Sequence, residues 1–200
     1  MAHPLFIETL RLFNGQLSNV RFHNERMYRT QLHHFEEVDI TDLASVIVVP
    51  QEFTLGLFKC RVTYGHGIER IEFEPYHPRT IQSLRLIEVN DIEYSFKYQN
   101  RSDLNTLSSQ KGEADDVLII KHGNVTDTSY ANIVFWDGQQ WTTPSTFLLA
   151  GTQRAHLLEQ GTIVEKKIRA EDLPKYVSAR IINSMLDFEV TPAIPMSSIR

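Results

Sequence analysis

The sequence is poor in the features that mark several common protein classes. It holds one cysteine, Cys60, in 200 residues, which excludes an internal disulfide framework and a thiolate metal cluster. No apolar run approaches the roughly 18 residues of a membrane-spanning helix. Basic charge is not in excess: 20 Lys and Arg stand against 25 Asp and Glu, for a formal net charge of −5. A nucleic-acid footprint is therefore not expected. No Gly/Ser-rich linker, internal repeat or low-complexity stretch interrupts the chain, so its parts should pack closely. The amino end, Met1-Ala2-His3-Pro4-Leu5-Phe6, lacks the basic and apolar regions of a secretory leader, and the expected location is cytoplasmic. His33-His34 and His66 fit no zinc-ligand spacing, so no metal site is expected.

What is present is an ordinary globular composition, 42% hydrophobic and 22% charged, long enough to bury a substantial core. Strand formers over Pro4–Leu12 end at Asn14-Gly15, a hairpin signal. Phe22, Met27, Tyr28 and Leu32 recur at helical spacing and predict a helix over Val20–Phe35. Thr41 can cap a second helix through Leu43 and Ile47. Two strand-like runs, Phe58–Tyr64 and Ile68–Tyr76, flank the turn Gly65-His66-Gly67, and Ser83–Val89 reads as a further strand. A helix is expected over Ser102–Gln110. Strands are then expected at Asp116–Lys121, at Ile133–Trp136 and from Trp141, with a helix over Gln153–Glu159. Ala170–Tyr176 and Val177–Leu186 read as helical pieces. The buried-packing reading suits Cys60, inside a predicted strand, better than nucleophilic chemistry.

Chemistry-bearing residues follow one another in a distinctive order. Ile7-Glu8-Thr9-Leu10-Arg11 and His23-Asn24-Glu25-Arg26 lie in the first half. Phe96-Lys97-Tyr98-Gln99-Asn100-Arg101 comes next. Val125-Thr126-Asp127-Thr128-Ser129-Tyr130-Ala131-Asn132 and Leu149-Ala150-Gly151-Thr152-Gln153-Arg154 follow. This order and spacing resemble the class IV aminotransferase family of fold-type IV enzymes, which includes branched-chain and D-amino-acid aminotransferases and aminodeoxychorismate lyase. The resemblance covers nearly the whole chain. It implies an α/β (α+β) fold of two lobes, a small α/β amino lobe over residues 1–92 and a barrel-like carboxyl lobe over 93–200. Pyridoxal 5'-phosphate (PLP) would sit in the cleft, and a homodimer acting on a small amino substrate is implied.

The resemblance also implies roles, each chemically sensible. Lys97 is the amine that forms an imine with the cofactor aldehyde and then shuttles the substrate Cα proton. Asp127 stands where the family has an acid, usually Glu, facing the pyridine nitrogen. Arg26, in a His-x-x-Arg pattern, grips the cofactor phosphate with a guanidinium fork. Gly151, Thr152 and Gln153 open a helix whose free N–H groups suit phosphate, and Ser184 offers another hydroxyl. Here Thr152 and Gln153 stand where the family has an aliphatic residue and then Thr. His23 should pack or hydrogen-bond, and Asn132 should brace the backbone near Asp127. Substrate contacts are implied for Thr9, Arg11, Tyr64 and Arg101.

Three departures bear on specificity. The chain starts almost at the Ile7–Arg11 strand, where relatives carry a further segment that walls the pocket. In Val62-Thr63-Tyr64-Gly65, Tyr64 replaces the arginine that reads a substrate carboxylate in D-amino-acid aminotransferases and aminodeoxychorismate lyases. A phenol supplies a hydrogen bond but no charge. Arg11, Arg61 or Arg101 could compensate, with Arg61 on the opposite strand face. Val134 replaces a usual aromatic, a packing change. The Lys-x-x-Asn-Arg sequence resembles the lyase branch, which releases 4-aminobenzoate and pyruvate and would tie the protein to folate synthesis. The alternatives are an aminotransferase of D- or branched-chain amino acids and a PLP-binding protein with little catalysis.

Overall fold

In the computed structural model, residues 4–38 and 40–200 are described. The reading of the amino end as leaderless rests partly on residues 1–3, outside the described residues. The chain divides into two units, Met1–Pro78 with Phe96–Asn100, and Arg79–Ser95 with Arg101–Arg200.

The first unit grows from an alternating strand. In β1 (Phe6–Phe13) the even residues Phe6, Leu10 and Leu12 are fully buried, as period-two geometry requires of a strand with one core face. Asn14 and Gly15 both take positive φ, 48° and 79°, the signature of a tight hairpin turn, and lead into β2 (Gln16–Leu17). Helix α1 (Val20–His34) buries Phe22, His23, Arg26, Met27, Thr30 and Gln31 on one stripe. Helix α2 (Leu43–Val46) is capped by Asp42, whose carboxylate accepts from the Ala44 N–H at 3.0 Å. The expected cap, Thr41, stands one residue too early. Strands β3 (Leu57–Tyr64) and β4 (Ile68–Pro75) complete an antiparallel sheet of order β2-β1-β3-β4. Met27, Leu43 and Ile47 pack with Phe6, Leu10, Cys60, Val62 and Tyr64, each large side chain contributing roughly 1.5–3 kcal/mol. Cys60 is a packing residue, as expected, and burial pushes its thiol up to about 12.

The chain re-enters this unit at Phe96–Asn100. The Ile7 N–H donates to the Lys97 carbonyl at 2.9 Å, and the Gln99 N–H donates to the Leu5 carbonyl at 2.8 Å. Phe6 and Tyr98 pair as an antiparallel bridge. The segment thus occupies one end of the β1 edge, and β2 occupies the other.

In the second unit, β5 (Leu84–Glu88) runs parallel to β6 (Asp116–Lys121), which pairs antiparallel with β7 (Asn124–Thr128). Helix α3 (Ser102–Ser109) lies between β5 and β6 in sequence. A five-stranded sheet has the order β10-β9-β8-β11-β12. Its strands are β8 (Asn132–Trp136), β9 (Trp141–Pro144), β10 (Ile163–Lys166), β11 (Ser178–Ile182) and β12 (Ile194–Pro195). Helix α4 (Thr152–Glu159) connects β9 to the parallel β10. The architecture is the expected mixture of α and β. The barrel-like expectation resolves into two sheets, and the described strands form no closed ring.

One local expectation needs correction. Val177–Leu186 is not helical: β11 lies there, paired with β8. Ala179 and Ile181 point into the core while Arg180 points away, a period of two that overrides helix propensity. Ala170–Lys175 is helical as expected, a short 3₁₀ segment that contains Pro174. Val134 is fully buried against Leu157, Ile163, Ile182 and Phe188, the packing role expected of it.

Candidate active site

In the first unit the site begins with a polar residue where alternation calls for an apolar one. Glu8 lies on the core face between Phe6 and Leu10 and is fully buried. A lone buried carboxylate is costly, so it must be paired. Arg26 supplies two parallel bonds, Nε to Oε1 at 2.8 Å and Nη2 to Oε2 at 2.5 Å. His23, one turn earlier on α1, meets Glu8 Oε2 through Nδ1 at 2.6 Å. Glu8 is an acceptor here, so Nδ1 carries the proton.

Burial alone would raise the Glu8 carboxyl. The Arg26 charge and the bonds from His23 and Arg26 overcome it and hold Glu8 at about 2. Burial lowers His23, aided by the nearby charges of Arg26 and Lys97 and opposed by Glu8. His23 is therefore a neutral hydrogen-bonding group, in line with its expected role. Lys97, half-buried on the β1 edge, is close enough to act on it electrostatically.

Thr9 and Arg11 occupy the other face of the same sheet. Thr9 pairs with Arg61 and Arg11 with Lys59 across β1 and β3. Tyr64 is not with them. It is fully buried on the Glu8 face, its ring centroid 5.7 Å from that of Phe6, and desolvation raises its phenol above the usual value.

In the second unit Asp127 of β7 is only 5% exposed. Its Oδ1 accepts from Asn132 Nδ2 at 2.7 Å. Its Oδ2 accepts from the backbone N–H groups of Leu148 and Leu149 at 3.0 and 2.9 Å. Burial still dominates these bonds and the Arg154 charge, and pushes the Asp127 carboxyl up to about 6. This is an oriented carboxylate short of positive charge.

Asn132 also donates to the Leu149 carbonyl at 2.9 Å, so it ties β8 to the 148–149 backbone and braces Asp127. That segment leads to Gly151 and the start of α4, where Thr152, Gln153 and Arg154 are buried. A Cβ on Gly151 would lie 1.8 Å from Asn132 Oδ1. Glycine is thus required here by close approach of a side chain, since its φ of −70° suits any residue. Arg101 donates to the Ser129 carbonyl at 2.7 Å, in the turn just after Asp127. Ser184 is half-buried, two residues past β11.

Two contributors escaped the sequence reading: Glu8 as the partner of Arg26, and the Leu148 and Leu149 N–H groups. The first had a signal, a charged residue breaking the apolar face of a strand. The second had none, because backbone donors carry no side-chain identity.

Comparison with known proteins covers almost the whole chain. The family model described as amino-transferase class IV matches residues 5–194. A Haemophilus influenzae protein of unassigned function is 39% identical over 185 residues, covering 92% of this chain and 98% of its own. The crystal structure of a provisionally assigned 4-amino-4-deoxychorismate lyase from Haemophilus somnus is 36% identical. It superposes with a TM-score of 0.87 over 92% of this chain and 98% of its own. A provisionally assigned aminodeoxychorismate lyase of Schizosaccharomyces pombe is 43% identical over 65 residues, 31% of this chain and 28% of its own.

Proposed function

The chain belongs to the class IV aminotransferase family, whose enzymes use PLP, and from that premise we propose that it is an aminodeoxychorismate lyase-like enzyme. The reading takes Lys97 as the amine that anchors the cofactor, with 4-aminobenzoate and pyruvate as products.

The observation that carries the PLP part of this reading is Asp127. A buried carboxylate held by three donors, yet raised to about 6, fits a cationic N–H such as a protonated pyridine nitrogen. PLP, when bound, supplies an electron sink for negative charge developing at the substrate Cα. Asp127 keeps the proton on the ring nitrogen. Its carboxylate cannot turn away, because Asn132, Leu148 and Leu149 fix both oxygens. Lys97 takes the Cα proton and returns it, and its backbone is pinned to β1 by the bonds on either side. Arg26 is the phosphate ligand of this reading. Glu8 fixes the plane of its guanidinium, so little rotamer freedom is lost on binding. Backbone N–H groups at Gly151, Thr152 and Gln153 are, in the same reading, donors suited to phosphate, and Ser184 offers a further hydroxyl.

The lyase branch is supported by the Lys97-x-x-Asn100-Arg101 sequence and by the similarity to the Haemophilus somnus protein. One observation weighs against the lyase, and equally against a D-amino-acid aminotransferase, and leaves a branched-chain aminotransferase as the second reading. Tyr64 supplies no charge and is fully buried in the core. A homodimer in the cytoplasm completes the proposal.

The test is an absorbance spectrum of the purified protein with PLP, before and after borohydride, with the label mapped by mass spectrometry. A visible band whose reduced product maps to Lys97 supports the reading. No band, or a label elsewhere, overturns it. Aminodeoxychorismate and D- and L-amino acids then separate lyase from aminotransferase, and Lys97→Ala must abolish whichever activity is found.

A further inference from the structure

Arg154 is a cation in an unfavourable place. It sits in the first turn of α4 and is 5% exposed, so the positive end of the helix dipole and the loss of solvent both work against it. Its contacts show what holds it there. Nη2 donates to the Pro144 carbonyl at 3.0 Å and to Glu165 Oε2 of β10. The guanidinium carbon lies 4.2 Å from the centroid of the Phe147 ring, a cation–π contact. The guanidinium thus turns back from the helix towards the segment between β9 and α4.

That segment is the one that donates to Asp127. Pro144 ends β9, and Leu148 and Leu149 supply the two N–H groups on Asp127 Oδ2. Other bonds fix its start: the Ser145 N–H donates to the Lys166 carbonyl at 3.0 Å, and Thr146 Oγ1 donates to the Val125 carbonyl at 2.7 Å. Between Thr146 and Leu148, the Phe147 ring rests against Arg154. Residues 145–150 form no helix or strand, so anchors of this kind decide where their N–H groups point.

The same guanidinium acts through space. Burial raises the Asp127 carboxyl, Leu149, Asn132 and Leu148 answer it as neutral donors, and Arg154 is the charged side chain among the described residues that lowers it. Glu165 works against that charge. It neutralises Arg154 from β10, with its side chain 46% exposed, so part of the Arg154 field is cancelled before it reaches Asp127.

We infer that Arg154 is a positioning residue for the ring-nitrogen site: it holds the Phe147–Leu149 backbone against Asp127 and lends its charge to that carboxylate, and Glu165 is the counter-ion that sets how much charge is lent. The inference rests on the proposed reading of Asp127 as the partner of the pyridine nitrogen. Thr152 and Gln153, its neighbours at the helix start, are phosphate donors in that reading, whereas Arg154 serves the ring.

The experiment follows the Asp127 carboxyl by carbon-13 NMR in the cofactor-free full chain, with Asp127→Asn identifying its signal. The wild-type midpoint is expected at about 6. Arg154→Gln should raise it by about 1, and Glu165→Gln, at a half-exposed site, should lower it. Arg154→Lys keeps a charge but loses the fork and the flat stack, so it should recover only part of the Gln loss. PLP retention in equilibrium dialysis is the second readout. Relative to wild type, Arg154→Gln should retain PLP about 5-fold more weakly at pH 6 and within about 2-fold at pH 8.5, where Asp127 is ionised in both. An unmoved midpoint in Arg154→Gln, shifts of the same sign in the two Gln variants, or a PLP loss equal at both pH values would overturn the inference. If Arg154→Gln fails to fold, Glu165→Gln decides alone, and a midpoint that stays or rises there overturns it. Absence of a Lys97-linked band in the wild type would instead sink the cofactor reading, and the carboxyl midpoints are read without PLP.

Discussion

Replacing Gly151 by alanine tests how Asp127 is held. The new Cβ would fall 1.8 Å from Asn132 Oδ1 and 3.0 Å from its Cγ, closer than real carbon contacts allow. The backbone gives no other reason for a penalty, because φ at Gly151 is −70°. Asn132 must therefore yield. It is pinned through Nδ2 to both Asp127 and the Leu149 carbonyl, so yielding means losing a bond to a buried carboxylate or straining the turn. Overpacking costs roughly 1–3 kcal/mol, and a hydrogen bond to a charged group contributes roughly 1.5–3 kcal/mol. The chain takes the cheaper route, so Gly151→Ala should cost about 2–3 kcal/mol, a fall in Tm of roughly 4–12 °C for a chain of this size. Urea unfolding at pH 7 measures it, with Asn132→Ala as the second background. Trimming Asn132 removes the obstacle, so there the alanine should be neutral or gain a few tenths of a kcal/mol from the stiffer unfolded chain. The expected interaction energy of the pair is thus about 2 kcal/mol. Equal costs in the two backgrounds, or a cost below about 0.5 kcal/mol in the wild type, would refute the contact.

Other outcomes follow from the buried charges. Glu8 is held at about 2 against an ordinary 4.5. Its roughly 3 kcal/mol of stabilisation should be present above pH 5 and vanish as pH falls towards 2, and Glu8→Gln should flatten this acid limb in urea titrations. Asp127 works in the opposite sense: raised to about 6, it makes the cofactor-free protein less stable as pH climbs from 4 to 6. Asp127→Asn should raise the Tm of the cofactor-free protein at pH 7 while weakening PLP retention in equilibrium dialysis; a fall in Tm would contradict this account.

Most of this architecture was legible because local signals and burial agree. The Asn14-Gly15 turn, the apolar stripe of α1 and the period-two runs of β3 and β4 each specify one conformation. Where they disagree, reading fails. Val177–Leu186 has no strong helical stripe, and its identity as β11 depends on pairing with β8, which no short window contains. Asp42 and Thr41 are both competent caps, and only the position of Leu43 in the core decides between them. At the site, Asp127, Gly151 and Arg26 were visible as residue types in order. That Gly151 makes room for Asn132, and that Arg26 is matched to Glu8, depends on proximity between distant positions, which one sequence does not report. Tyr64 shows the same limit: its place in the motif drew attention to the substrate, while alternation along β3 put it in the core.

The return of residues Phe96–Asn100 to the first unit has a consequence for inheritance. A chain cut anywhere between Arg79 and Ser95 leaves its amino-terminal fragment without Lys97, and the carboxyl-terminal fragment inherits a lysine with no β1 to pin it. The two units therefore cannot be shuffled as cassettes in the way that sequentially strung domains can. Domain swapping and split-protein designs that cut there would separate Lys97, the amine of the proposed function, from the strand that pins it. Recombination at the obvious boundary therefore breaks the pairing of Phe96–Asn100 with β1, whereas substitution on the faces of either unit leaves it intact.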